Sequence, residues 1–494
     1  MVNAEMIIFI LYFLFMLGIG VYFFLRSKSG GDKGYFLGGR QMGPWVSALS
    51  AGASDMSAWV LMGLPASIYA AGLGQAWIAV GLGIGYAISW LVEAPRLRRY
   101  SIAANDSITV PQYLTNRFLS KSPALQVICA VIFLVAYTIY AASSIKACGT
   151  LFNTVMGIDA TVAMYIAAVI IIGYTFLGGF SAVCWTDFFQ GLLMLGALLI
   201  APIFALTLVQ SGEGAGEVAA LSAGYWNPFL DDAGNLAWRD IASGLGWGLG
   251  YFGMPHIIIR YMSLRSDKDV KKSAKIGITW TTLILIFSVA AGVIGHLLLG
   301  EIADSSTVFI TMVRKLFPAL ISGVLLSAIL AAAMSTADSQ LLASASAFSV
   351  DVYKPIIRKN KASEKEMLWA GRFVVLAIAV IAVLIAANPG SGTIMSLVEN
   401  AWGVFGAAFG PVILLSLFWR RFNFQGAVAG ILSGAAVDIL WLILLKDIGL
   451  YEIIPGFAAG LLVAVVVTLL TPAPSDEVTA VFDKVASGED LDEE

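Results

Sequence analysis

The sequence predicts an all-α integral membrane protein with about thirteen transmembrane helices, ten of them forming a five-plus-five inverted repeat. Three observations carry this expectation. Of 494 residues, 59% are hydrophobic and only 12% charged, half the ~25% charged usage of soluble domains, and the mean hydropathy is +0.86. Apolar runs of about 20 residues, each long enough to cross a bilayer, follow one another along almost the whole chain. Two of these runs are broken by glycine and proline, and they stand five helices apart.

The first helix, at 6–25, has no basic segment before it and no A-x-A cleavage site, so it reads as a mature span rather than a signal peptide. The second, at 45–71, contains SAGASDMSAWVLMGLPAS, where Gly52, Ser54, Asp55 and Ser57 are followed by Gly63 and Pro65. Spans at 75–94, 124–150, 160–179 and 183–209 complete the first block of five. The seventh, at 239–259, contains SGLGWGLGYFGMPHIIIRY, with Gly244, Gly246, Gly248, Gly250 and Gly253 ahead of Pro255. Spans at 274–299, 317–347, 370–388 and 394–418 complete the second block, and two more follow at 424–445 and 451–471. An odd number of helices per block inverts the second copy relative to the first. The chain therefore divides into 1–44 (N-terminal helix and loop), 45–209 and 210–418 (the two repeats), 419–471 (two C-terminal helices) and 472–494. That last segment, ending VFDKVASGEDLDEE, is acidic and is expected to be solvated and disordered.

Basic residues set the orientation. Most of the 29 Lys and Arg fall in loops 26–40 (including Lys28), 96–121, 260–275 and 354–372, at 420–421 and at Lys484, all on one side of this map. That side is expected to be the cytoplasm, with the N-terminus outside and the C-terminus inside the cell membrane. The loop 210–237, with Glu213, Glu217, Asp231 and Asp232 and no Lys or Arg, then lies outside.

Several chemistries find no support. Cys129, Cys148 and Cys184 give neither a disulfide framework nor a CxxC metal site, and His256 and His296 are too few for a His-rich one. No GxxxxGK[ST] loop is present, so any energy must come from a gradient. GLGYFG at 248–253 fits GxGxxG but sits in an apolar span with no preceding strand. Ser54 in GASD would need a histidine base to act as an intramembrane protease nucleophile, and close helix packing by small residues explains the motif better. No organic cofactor, nucleic acid or obligate protein partner is expected.

The interruptions point to transport. Within a bilayer, unwound backbone is tolerated only where it is buried in protein or lines a cavity, and transporters place such breaks in corresponding positions of two inverted halves to build midplane sites. The ninth span adds AAAMSTADSQ at 331–340, where Ser335 and Thr336 offer hydroxyl oxygens. Hard cations take carboxylate, hydroxyl and carbonyl oxygen, so the broken second span facing Ser335 and Thr336 is a candidate sodium shell. Asp338 and Glu399 are further acids inside spans, without an assigned role.

The motifs SDMSAWVLMGLPAS, GGFSAVCWTDFFQ, GWGLGYFGMPHIIIRYM and LSAILAAAMSTADSQLL, in this order, resemble those of the sodium:solute symporter family, most closely its sodium/proline branch. The resemblance runs from about the first span to the twelfth. It implies a LeuT-type core of two inverted repeats and sodium held by the carbonyls of Ala53, Met56 and Ala332 and the hydroxyls of Ser335 and Thr336. Asp55 and Asp187 would lie on the ion's route. It further implies a solute site made by Ser57, Trp59, Tyr140, Trp247, Tyr251 and Pro255, with proline the expected solute, another amino acid, a monocarboxylate or a vitamin the alternative, and a sensor or channel on the same scaffold the rival class. Two positions depart from that branch: Ala58 stands where a glycine is expected, and Met254 where a glutamine is.

Overall fold

The computed structural model describes residues 4–26, 31–175, 179–213, 224–231 and 233–488. Lys28, Glu217, Asp232, the side chain of Glu213 and the last residues of the tail lie outside these.

The described residues are almost wholly helical. In chain order come α1 (Ala4–Arg26), α2 (Pro44–Asp55), α3 (Gly63–Ala71), α4 (Ala76–Ile88), α5 (Ala94–Ala103), α6 (Ala124–Met156), α7 (Ala160–Thr175) and α8 (Phe180–Leu208). They are followed by α9 (Trp238–Gly246), α10 (Pro255–Met262), α11 (Asp267–Leu299), α12 (Ala319–Phe348), α13 (Glu364–Ala387), α14 (Ile394–Phe418), α15 (Phe424–Leu444), α16 (Ile453–Leu470) and α17 (Asp476–Ala486). Short helices at Gly31–Leu37, Val110–Arg117 and Val308–Leu316 lie between them.

Among the described residues, ten helices are long and apolar enough to cross a membrane. The other three expected spans are the short apolar α7 and the two interrupted ones, α2 with α3 and α9 with α10. Both interruptions have local causes. At the first, Met56 leaves the helical region (φ −76, ψ 68) and Ser57 is extended (φ −64, ψ −170) before a short 3-10 turn at Ala58–Val60. At the second, the chain tightens into a 3-10 segment over Trp247–Phe252. Met254 is then extended, and Pro255 starts α10, where a missing N–H costs nothing.

The packing of the two five-span blocks is reciprocal. The first-block helix α2 lies on α11 of the second block, and α9 of the second lies on α4 of the first. Within the first block α8 crosses α2, and within the second α14 crosses Trp247–Phe252. Likewise α8 packs on α12 while α14 packs on α6, and α6 and α12 pack on each other. The first span, α1, leans on α12 and α8, and α15 and α16 pair with each other against α14.

Glycine sets the closeness of these crossings. A Cβ on Gly81 or Gly85 of α4 would lie 2.2 Å from the Gly244 carbonyl oxygen or 2.3 Å from that of Gly248. The glycine run of the seventh span thus serves close packing as well as the break: Gly250 meets the Trp402 indole and Gly253 the Phe405 carbonyl.

Two expectations are corrected. The acidic tail is not disordered over its first part: Ser475 caps α17, whose Val478, Phe482 and Val485 are buried on one face against α5. Their i, i+4, i+7 spacing makes an apolar stripe, and its burial outweighs the local charge. Arg260, counted among loop residues for orientation, sits inside α10 and is 2% exposed.

Candidate functional site

The end of α2 is a helix terminus inside the protein, so its last carbonyls need partners from elsewhere. The carbonyl of Asp55 receives three donors: the Ser57 N–H at 2.8 Å, the Trp59 indole at 3.3 Å and the Tyr140 hydroxyl at 3.5 Å. The Asp55 carboxylate is fully buried, and its Oδ2 accepts from the Tyr251 hydroxyl at 2.5 Å. The acid thus ties the first break to the second.

Directly behind, the Ser335 hydroxyl of α12 donates to the Ala53 carbonyl at 2.8 Å and approaches that of Ala332 at 3.2 Å. Thr336 Oγ1 and Asp55 Oδ1 are buried without a hydrogen-bond partner. Buried polar atoms of this kind can be satisfied by water or by a bound ion. The oxygens of Ala53, Ala332 and Ser335 are therefore together, with two unsatisfied oxygens on adjoining residues, and all are of the hard type that sodium takes. For Met56, the structure gives a backbone N–H bonded to Gly52 at 2.8 Å and a position at the break.

Asp187 lies one level further along α8. Its Oδ2 accepts from Ser50 at 2.6 Å and pairs with Arg260 at 3.2 Å, while Arg260 also donates to Ser339 at 2.5 Å. Four helices meet at this pair, and Asp338, fully buried, lies beside Ser339. The positive charge of Arg260 offsets an acid that would otherwise be stranded in low dielectric.

The expected solute residues are buried around the two breaks. The Trp59 and Trp247 rings are 6.3 Å apart. Ser57 accepts from the Trp59 N–H at 3.4 Å, and Pro255 opens α10. Sequence reading missed Trp402, whose ring is 6.3 Å from Trp247 and 5.1 Å from Tyr251, and whose indole donates to the Trp247 carbonyl at 2.8 Å. It also missed Tyr451, 5.1 Å from Trp247. Neither stands in a local motif. His256 is fully buried, and its Nε2 faces the Ser54 carbonyl at 3.2 Å. The Ser54 hydroxyl bonds its own helix at Ala51, so no nucleophile and base are paired here.

Access differs on the two sides. From the α9 side a cavity of about 250 Å³ reaches Trp247 and Tyr451, lined also by Asp240, Glu399, Glu452 and Lys446. The opposite side is closed by charged contacts. Arg40 pairs with Asp106 at 2.9 Å and donates to the Met262 carbonyl at 2.6 Å, and Arg98 and Arg99 pair with Asp267 at 2.7 and 2.5 Å. Partial burial would raise the Asp106 carboxyl, but Lys33 and Arg40 outweigh it and hold the group below the ordinary carboxylate range.

A helical membrane bundle with two interrupted spans meeting over buried oxygens is the architecture of a secondary transporter. The chain superposes on a substrate-bound, outward-open sodium-coupled sialic acid symporter with a TM-score of 0.75 at 21% identity, over 96% of this chain and 99% of that one. It superposes on Mhp1, a nucleobase-cation-symport-1 family transporter, with a TM-score of 0.53 at 14% identity, over 92% of this chain and 99% of that one. The family model of the sodium:solute symporters matches residues 35–434, and the chain belongs to that family. It is 44% identical over 473 residues to the osmoregulated proline transporter OpuE of Bacillus subtilis, with 94% of each chain covered. It is 43% identical over 472 residues to that organism's high-affinity proline transporter PutP, covering 95% of this chain and 98% of the relative. Identity to the sodium/proline symporter of Staphylococcus aureus (strain USA300 / TCH1516) is 43% over 490 residues, covering 96% and 94%. It is thus a multi-pass membrane protein of a transporter family and not an enzyme.

Proposed function

We propose that the chain couples inward movement of sodium to uptake of L-proline across the cell membrane by alternating access, with the N-terminus outside and the C-terminus in the cytoplasm. The observation that carries this reading is the convergence of the Ser335 hydroxyl with the Ala53 and Ala332 carbonyls, beside the unpartnered Thr336 Oγ1 and Asp55 Oδ1. Sodium there joins α2 to α12. Met56 completes the shell and Asp187 lies on the exit route. Because Asp55 also binds Tyr251, the ion shapes the neighbouring solute site and raises its affinity, and by linkage the solute raises sodium affinity.

Ser57, Trp59, Tyr140, Trp247, Tyr251 and Pro255, with Trp402, make the solute site. Break-end N–H groups and carbonyls suit the two charges of a zwitterion, and the indole rings suit an apolar ring and its charged nitrogen. The high identity to three proline transporters supports proline. One sodium crossing about 100 mV gains ~2.3 kcal/mol and a tenfold gradient adds ~1.4, enough for roughly 500-fold accumulation. Reciprocal packing of the two blocks supports the inverted repeat, whose rocking moves the opening from the Trp247 cavity to the face now closed by Arg40, Arg98 and Arg99.

The test is uptake of labelled amino acids and organic acids into proteoliposomes with and without an inward sodium gradient. Sodium-dependent, saturable proline uptake is expected. Uptake of a different solute would keep the mechanism and replace the substrate, and non-saturating flux would identify a channel.

A further inference from the structure

Among the described residues, two arginines on the face of the tail helix lack a counter-charge. Arg117, at the end of the short helix Val110–Arg117, is 1% exposed. Its Nε donates to the Ser416 carbonyl at 2.9 Å, while Nη1 and Nη2 are buried without partners. Arg96 of α5 is half-buried, and its Nε is also unpartnered. Neither forms an ion pair among the described residues, whereas the neighbouring Arg98, Arg99 and Arg420 are each matched by Asp267 or Asp483. Instead, both guanidiniums contact one ring, that of Phe482 in α17, at 5.2 and 5.3 Å from its centroid.

An aromatic face attracts a cation but supplies no acceptor for its N–H groups. Two adjacent guanidiniums with unpaired N–H groups, Arg96 half-buried and Arg117 beneath Phe482, are a matched receptor for a phosphate group, which takes the planar fork in paired hydrogen bonds. The surroundings place that phosphate at the membrane interface. Arg96 lies 4.9 Å from the ring of Phe418, and Phe418, Leu91 and Val92 are exposed apolar side chains of membrane-length helices. With the C-terminus inside, this is the inner leaflet, where anionic headgroups concentrate.

We propose that Arg96 and Arg117 form a binding site for a phosphate-bearing anion, supplied by an anionic phospholipid of the cytoplasmic leaflet, and that Phe482 covers this site when it is empty. The leaflet rests on the orientation proposed above; the arginine pair does not. Headgroup binding displaces Phe482 and loosens α17, which is otherwise pinned by the Arg420–Asp483 pair at 2.8 Å.

The experiment measures thermal unfolding of the purified full-length chain in detergent with added phosphatidylglycerol, phosphatidylcholine or inorganic phosphate. Phosphatidylglycerol is expected to raise the wild-type midpoint by about 5 °C over phosphatidylcholine. Arg96→Gln should lose that shift, and Phe482→Ala, with the cover removed, should reach it at several-fold less lipid. An Arg96-dependent shift with inorganic phosphate alone would support the site and assign its ligand to solution. Equal shifts in wild type and Arg96→Gln, or none in wild type, would overturn it. Separately, Ser487→Cys should resist an impermeant maleimide in right-side-out vesicles, since the three native cysteines are buried. Labelling there would refute the orientation while leaving the result in detergent intact.

Discussion

The Ser335 hydroxyl spans two helices with one oxygen, which makes it the most economical point at which to remove the proposed ion site. A hydrogen-bonding group facing a charge is worth about 1.5–3 kcal/mol, so Ser335→Ala should weaken sodium activation of uptake by roughly 10- to 150-fold. Asp55→Asn should abolish it, with both variants still inserted in the membrane. Undiminished sodium dependence in both would remove the assignment. Trp247→Ala should raise the KM for solute about tenfold with a smaller change in the sodium requirement, and equal losses in both would indicate a collapsed fold. The residues of the proposed ion site stood out in the sequence because they sit in short polar runs within apolar spans. Trp402 and Arg260 were not, because each matters through a partner far away in sequence: Trp247 for the first, Asp187 for the second.

At the scale of elements, the interrupted spans could be read from composition, since glycine and proline mark them whatever surrounds them. What the same glycines touch could not. Gly81 and Gly85 meet Gly244 and Gly248 backbone to backbone, leaving no room for a side chain. Gly85→Leu should therefore cost about 1–3 kcal/mol or more and lower the unfolding temperature of the purified protein; an unchanged midpoint would mean that the two helices part easily. The tail helix shows the opposite case. Its Val478, Phe482, Val485 stripe was present in the sequence, but the surrounding acidic charge masked it.

Across the whole molecule, closure of the face opposite the Trp247 cavity rests on ion pairs of Arg40, Arg98 and Arg99. Asp267→Asn removes the shared partner of Arg98 and Arg99, and a loss of about 1 kcal/mol shifts an opening equilibrium roughly fivefold. A cysteine placed at Ser344, buried in α12, should then react about five times faster with maleimide added on the side of the Arg98–Asp267 contacts; an unchanged rate would show the latch to be ornamental. The Arg40–Asp106 contact is insensitive to working pH. Because its folded carboxyl lies below the unfolded value, the stability it adds is present above about pH 4 and lost only as pH falls through the lowered value.

The Asp187–Arg260 pair bears on turnover as well as on structure. A lone carboxylate along the proposed exit would act as a sink: unit charges 4 Å apart attract by about 4 kcal/mol at an effective dielectric of 20, close to a thousandfold in dwell time. With Arg260 already bound to it, the acid can steer a departing cation without detaining it. Along the proposed ion route, the pair makes the path from α2 past Asp187 a slope rather than a well.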